Sequence, residues 1–198
     1  MRLFIFFFLG ILFSCNTQAN VVDKAWKIYA KAQLIENIQF DDFYTAYRRH
    51  LLLAKKPIMG IINYKLPSTE KRMWIIDTNN GEVLEKTYAA HGLNSGLKRA
   101  VKFSNTINSK QTSLGVFLGA ETYLGKHGYS LRLDGVSHSN SKARDRAIVI
   151  HGADYVSESY IEENGFLGRS WGCPAVPRSV SKRVIDLLKF GSTIHSLG

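Results

Sequence analysis

From Pro57 onward the apolar residues come in short runs, each closed off by turn formers, and this punctuation points to a mainly β body. Ile58 to Tyr64 and Met73 to Asp77 read as strands, with Pro67-Ser68-Thr69 turning the chain between them. Asn80-Gly81 supplies the left-handed geometry of a hairpin leading into Val83 to Ala90. After a Gly/Asn/Ser loop from His91 to Gly96, strands are expected over Val116 to Ala120, Ser130 to Leu133, Ala147 to Ile150 and Thr193 to Ser196. The polar stretch Ser137 to Arg146 reads as a surface loop.

Helices flank this body. Val22 to Leu34 and Phe40 to Lys55 have amphipathic spacing, the second with Phe40, Phe43, Tyr44, Tyr47, Leu51 and Ala54 in one stripe that reads as a core face. Near the other end, Ser179 is expected to cap a helix carrying Val180, Val184, Leu187 and Leu188, which Gly191 stops. No linker divides helices from strands. The expected division is a leader over 1–19, a helical element over 20–56 packed on the body, and the body itself over 57–198.

The leader has the make-up of a secretory signal peptide: Met1-Arg2, an apolar run from Leu3 to Phe13, then Ser14 to Asn20. Small residues at Thr17 and Ala19 place cleavage after Ala19. Leu12-Phe13-Ser14-Cys15 is a rival exit that resembles a bacterial lipoprotein box, although Phe13 is bulky for one; a membrane partner is expected only if Cys15 is lipidated. The expected location is the periplasm. Either cut leaves Cys173 without an intramolecular partner, and a lone thiol in an oxidising compartment calls for a reason, chemistry or inert burial. The net charge of +10 suits an anionic partner, but export argues against nucleic acid, and the scattered lysines and arginines equally fit a solvated surface.

The residues with chemical potential lie in Ile148-Val149-Ile150-His151-Gly152 and Arg169-Ser170-Trp171-Gly172-Cys173. A thiol is a weak nucleophile until deprotonated, and an adjacent imidazole can take its proton. Gly172 frees the backbone to aim amide N–H groups at a developing oxyanion. The histidine precedes the cysteine by 22 residues, the reverse of papain-like order. No histidine pair has zinc-site spacing, and Gly125-Lys126-His127-Gly128 lacks the full phosphate-loop pattern.

His151-Gly152 followed by Ser170-Trp171-Gly172-Cys173 resembles the signature of the L,D-transpeptidase (YkuD-type) catalytic domain, and in particular its murein L,D-transpeptidase branch. Pro67 to Arg72, His91 to Gly96, Thr112 to Gly115, Gly125 to Gly128 and Tyr155 to Ser157 carry the likeness along the chain in the same order, from about Phe40 to the C-terminus. The resemblance implies a β-sandwich or barrel catalytic domain over 57–198, with N-terminal helices and a C-terminal helix. It implies Cys173 as nucleophile, His151 as base oriented by the Gly152 carbonyl, and amides of Gly172 and Cys173 as oxyanion donors. Ser170, Trp171, Arg169 and His91 are the expected substrate-contacting residues, with Ser170 alternatively bracing the loop. The implied reaction releases D-alanine from a peptidoglycan stem tetrapeptide through a thioester at Cys173, and an amine of a second stem, or a protein lysine, then closes a 3–3 cross-link. No metal or organic cofactor is implied.

Two positions depart from many family members: Trp171 stands where they carry histidine, and Ala175 where they carry arginine. Arg169 or Arg178 is a candidate replacement cation, and His91 and His127, each before a glycine, are candidates for a second active-site group. An L,D-carboxypeptidase and a catalytically inactive cell-wall-binding protein remain the alternatives.

Overall fold

The computed structural model describes residues 19–198; the apolar leader and Cys15, with the cleavage and lipidation expected there, lie outside them. Helix α1 (residues 19–31) and α2 (Phe40–Leu53) precede strands β1 (Ile58–Asn63), β2 (Met73–Asp77) and β3 (Glu82–Thr87). A long hairpin follows, β4 (Gly115–Gly125) and β5 (Gly128–Gly135), then β6 (Val149–Ala153), α3 (Glu158–Asn164), β7 (Ala175–Pro177), α4 (Arg178–Leu188) and β8 (Thr193–Leu197). All eight strands form one sheet in the order β3-β2-β1-β8-β4-β5-β6-β7, parallel at β1/β8 and β6/β7 and antiparallel elsewhere. Past β3 the chain curls back to the far edge, where Ala90 N–H donates to the Ala175 carbonyl at 2.8 Å, so the sheet nearly closes into a barrel. Among the described residues no helix is long and apolar enough to cross a membrane.

Strand alternation builds two cores. Ile62, Met73 and Ile75 point inward with Phe117, Leu131, Ile150 and Ile194, and α4 covers them through Val184, Ile185 and Leu188. Met59, Ile61, Trp74 and Ile76 point the other way and are covered by Ile28 and Tyr29 of α1 and Phe43 and Tyr47 of α2. The helical segment therefore buries one face of β1 and β2.

Several boundaries differ from expectation. Leu51 is 50% exposed, and Ala46 and His50 take its place on the buried face of α2. That helix stops at Leu53 because the chain turns so that Lys55 N–H can bond the Gly191 carbonyl. Helix α4 begins at Arg178, with Pro177 rather than Ser179 at its N-cap position and no side-chain cap. The stretch from Ser137 to Arg146 is only partly surface: Ser137 and Asn140 cap a 3-10 turn reciprocally, and Asn140 and Ala143 are buried. Strand β6 starts and ends later than expected, which puts His151 in its middle. Gly81, at φ +74°, makes the β2–β3 turn as expected.

Arg72, just before β2, is fully buried without a carboxylate partner. Its Nε and Nη2 donate to the Ala89 carbonyl at 2.9 and 2.8 Å, its Nη1 to the Leu66 carbonyl at 2.8 Å, and its Nη2 to His91 Nδ1 at 2.8 Å. The guanidinium also lies over the Tyr64 ring, 4.9 Å from its centroid. Burial brings its pKa down to about 10, so it remains charged at neutral pH. Because arginine only donates, His91 Nδ1 accepts, and its Nε2–H donates to the Gly96 carbonyl at 3.1 Å.

Two stability predictions follow from these buried groups. Arg72→Leu strips donors from Ala89, Leu66 and His91 together and is expected to cost about 3 kcal/mol or more in denaturant unfolding; a cost below about 1 kcal/mol contradicts this role. Burial holds His50 and His91 at about 4 and His195 at about 3, the Arg72 charge adding to the effect on His91. Below 6.5 the unfolded chain binds protons that these native rings refuse, so stability present above that pH is lost as pH falls toward 4, by roughly 3 kcal/mol per ring. A melting temperature that stays flat from pH 6.5 to 4 excludes it.

Candidate active site

The Cys173 loop is fastened by its own backbone. Ser170 N–H donates to the His91 carbonyl at 2.9 Å, and Leu93 N–H donates to the Ser170 carbonyl at 2.7 Å. Ser170 Oγ donates to the Cys173 carbonyl at 2.6 Å and accepts from Gly172 N–H at 3.1 Å. Gly172 sits at φ +120°, and a Cβ there would come within 2.7 Å of the Gln111 carbonyl, so no side chain fits. Cys173 Sγ rests between the Val149 N–H, 3.5 Å away, and the Ala147 carbonyl at 3.7 Å. Ala147 holds a left-handed φ of +52°, a strained setting for a residue with a Cβ. The Cys173 N–H has no partner among the described residues.

His151 reaches the same place from the centre of β6, which is paired to β5 through Ser130 and to β7 through Ala175, two residues beyond the cysteine. Its Nδ1 lies 3.1 Å from the Gly152 carbonyl. A carbonyl only accepts, so Nδ1 carries the proton and Nε2 is left as a base. Burial holds His151 below its ordinary value; the Gly152 bond opposes this, while His127, Arg178 and Lys126 reinforce it. Burial pushes the Cys173 thiol up, against the pull of the Val149 amide, Arg146 and Lys126. The resting pair is therefore neutral thiol and neutral imidazole.

Both residues line a cleft of about 410 Å³. Of the other expected contacts, Ser170, Trp171 and Arg169 also line it. Trp171 is 68% exposed, with Lys110 Nζ 4.6 Å and Lys126 Nζ 5.9 Å from its ring centroid. The Ser170 hydroxyl is used up in bracing the loop. His91 is the exception and a correction: its ring is sealed away from the cleft, both nitrogens taken by Arg72 and Gly96, and only its carbonyl serves the site, through Ser170. Arg178 is engaged with Asp154 at 2.5 Å.

The structure adds residues that spacing does not reveal. Arg146 lines the cleft and grips the loop opposite, donating to the Ser104 and Gln111 carbonyls and to Ser113 and Ser109 hydroxyls. Tyr155, pushed up to about 12 by burial and by Cys173, lies on the wall with Tyr123. His127, a candidate from its glycine neighbour, does reach the cleft. The charged lining, Lys126, Arg146 and Arg169, is wholly cationic. Among the described residues no three of His, Cys, Asp or Glu converge on a metal-sized point.

A family model for the L,D-transpeptidase catalytic domain (YkuD_2) matches residues 31–196. No curated protein sequence matches the chain. Among solved structures it is similar to an L,D-transpeptidase from Mycobacterium smegmatis, at 15% identity and TM-score 0.44 over 72% of this chain and 59% of that one. It is also similar to an L,D-transpeptidase from Stackebrandtia nassauensis (17% identity, TM-score 0.42, 80% and 65%) and one from Enterococcus faecium (16%, 0.42, 72% and 50%). The chain spans between half and two thirds of these solved chains. With the family model covering most of its length, the chain belongs to the L,D-transpeptidase catalytic domain family.

Proposed function

We propose that the protein is an exported, cysteine-dependent L,D-transpeptidase acting on peptidoglycan stem tetrapeptides in the periplasm. The observation that carries this reading is the shared cleft of Cys173 and His151, with His151 Nδ1 committed to Gly152 so that Nε2 is left available as a base. In the proposed first step, Nε2 takes the thiol proton as Sγ attacks the carbonyl of the stem's third residue. The Cys173 N–H steadies the oxyanion; the Gly172 N–H stays on Ser170. His151 returns its proton to the departing D-alanine nitrogen, and a thioester remains. An amine of a second stem then attacks that thioester, forming the 3–3 amide and restoring the thiol. The cationic lining suits the carboxylates of such a donor.

Intact-protein mass spectrometry with a disaccharide-tetrapeptide donor tests this directly. A Cys173 adduct lighter than the donor by one alanine, together with cross-linked dimers, supports transpeptidation. Tripeptide without dimers means hydrolysis of the same bond, and an unmodified, folded protein favours a wall-binding role.

Cys173→Ala is expected to abolish the adduct while keeping a cooperative melt; loss of that melt shifts Cys173 to a structural role. His151→Gln is expected to slow acylation by roughly 10²- to 10⁴-fold. Because acylation needs the neutral imidazole and burial holds His151 low, the acid limb of its pH profile is expected on the acid side of 6.5. A limb at or above 6.5 is incompatible with His151 as the base.

A further inference from the structure

The turn between β4 and β5 carries a second imidazole into the cleft. His127 stacks on His151 with ring centroids 4.2 Å apart and planes 22° from parallel, and both rings line the space beside Cys173. The acylation step described above leaves it without a task.

Counting protons supplies one. In the first half-reaction a single proton travels from Sγ to the departing D-alanine nitrogen, and His151 Nε2 suffices. In the second, the acceptor arrives as an ammonium and must shed two protons before its nitrogen becomes an amide. One ends on Cys173 Sγ. The other needs a second base, because His151 Nδ1 is occupied by the Gly152 carbonyl. Among the described residues no carboxylate lines the cleft; its charged lining consists of Lys126, Arg146 and Arg169, and Tyr155 holds its phenol proton. We propose that His127 is the catalytic base that deprotonates the incoming ammonium, a role that rests on the transpeptidase reading.

In this scheme a His127 nitrogen takes the first proton and the freed lone pair attacks the thioester carbon. The C–N bond forms, His151 Nε2 takes the second proton and passes it to Sγ as the C–S bond breaks, and His127 releases its proton to water. The surroundings favour this division. Lys126 on the same turn, Arg178 at the start of α4 and the Arg146 and Arg169 guanidiniums across the cleft all disfavour an ammonium ion there. Burial, Lys126 and Arg178 keep the His127 ring itself below its ordinary value, hence neutral and able to accept at neutral pH. The remaining titratable groups of the lining are His151, Tyr123, Tyr155 and Cys173, none of them a carboxylate.

The test resolves acylation from thioester resolution by quenched mass spectrometry in the full chain, His127→Gln and His127→Phe, the latter keeping a flat ring against His151. Two acceptors are compared: the side-chain amine of a second stem, and aminoacetonitrile, whose amine is already neutral at pH 7. Both variants are expected to slow transfer to the stem amine by roughly 10²-fold, with acylation and transfer to aminoacetonitrile within about threefold of the parent. The stem-amine defect should also shrink as pH rises and the ammonium deprotonates unaided. Equal losses with both acceptors, a comparable loss in acylation, or no loss at all overturns the assignment. A parent protein that forms no adduct overturns the transpeptidase reading instead, and is seen before any variant is compared.

Discussion

A guanidinium without a carboxylate partner holds the two ends of the site together. Taking Arg72 out of water is costly, and its burial is tolerable because its donors find carbonyl oxygens and an imidazole nitrogen rather than an opposing charge. Lysine, with one ammonium head, cannot span Ala89, Leu66 and His91 together. The consequence reaches beyond local stability. Arg72 fixes His91, the His91 carbonyl holds Ser170, and Ser170 holds both Gly172 and the Cys173 carbonyl. The loop that presents the thiol is thus anchored to the start of β2, one strand in from the opposite edge of the sheet, and the near-closure of the barrel makes that reach short.

At the cleft, the electrostatics favour charge that appears late over charge stored at rest. Cys173 is held protonated and His151 neutral, so in the proposed mechanism an ion pair would form only as the thiol attacks. The Val149 N–H already points at Sγ and is ready for the negative charge, whereas the Ala147 carbonyl accepts from the thiol and resists it. A cationic wall can steady a developing oxyanion and a bound carboxylate alike, and it costs little reorganisation because Arg146 is locked by four acceptors.

Strands β1 and β2 were legible almost to the residue, because Ile58 to Asn63 and Met73 to Asp77 are short, nearly continuous apolar runs bounded by turn formers, as befits strands buried on both faces. The pairing of a histidine on one segment with a cysteine on another was legible as well. Less so was which face of α2 is buried: counting only apolar residues selects Leu51, whereas His50 goes inside because Thr193 and Thr78 satisfy its ring. Short α3 and β7 escaped notice, since seven and three residues give no periodicity to read. Arg146 and Tyr155 were hidden for a different reason. Their place in the cleft is set by which strands neighbour one another, and no local pattern encodes that. His91 illustrates the converse: it sits in the same glycine context as His127, yet Arg72, 19 residues earlier, determines that its ring faces inward.

Strand β8 lies in the middle of the sheet, parallel to β1 on one side and antiparallel to β4 on the other. Without it, β1–β3 and β4–β7 share no strand pairing, and the inner core loses Ile194 at its centre. The barrel therefore cannot be assembled progressively as the polypeptide emerges from the ribosome. It must wait until residues 193–197 have been made, and only then do the halves lock. The architecture thus keeps the chain from committing to its native shape before synthesis has passed that point.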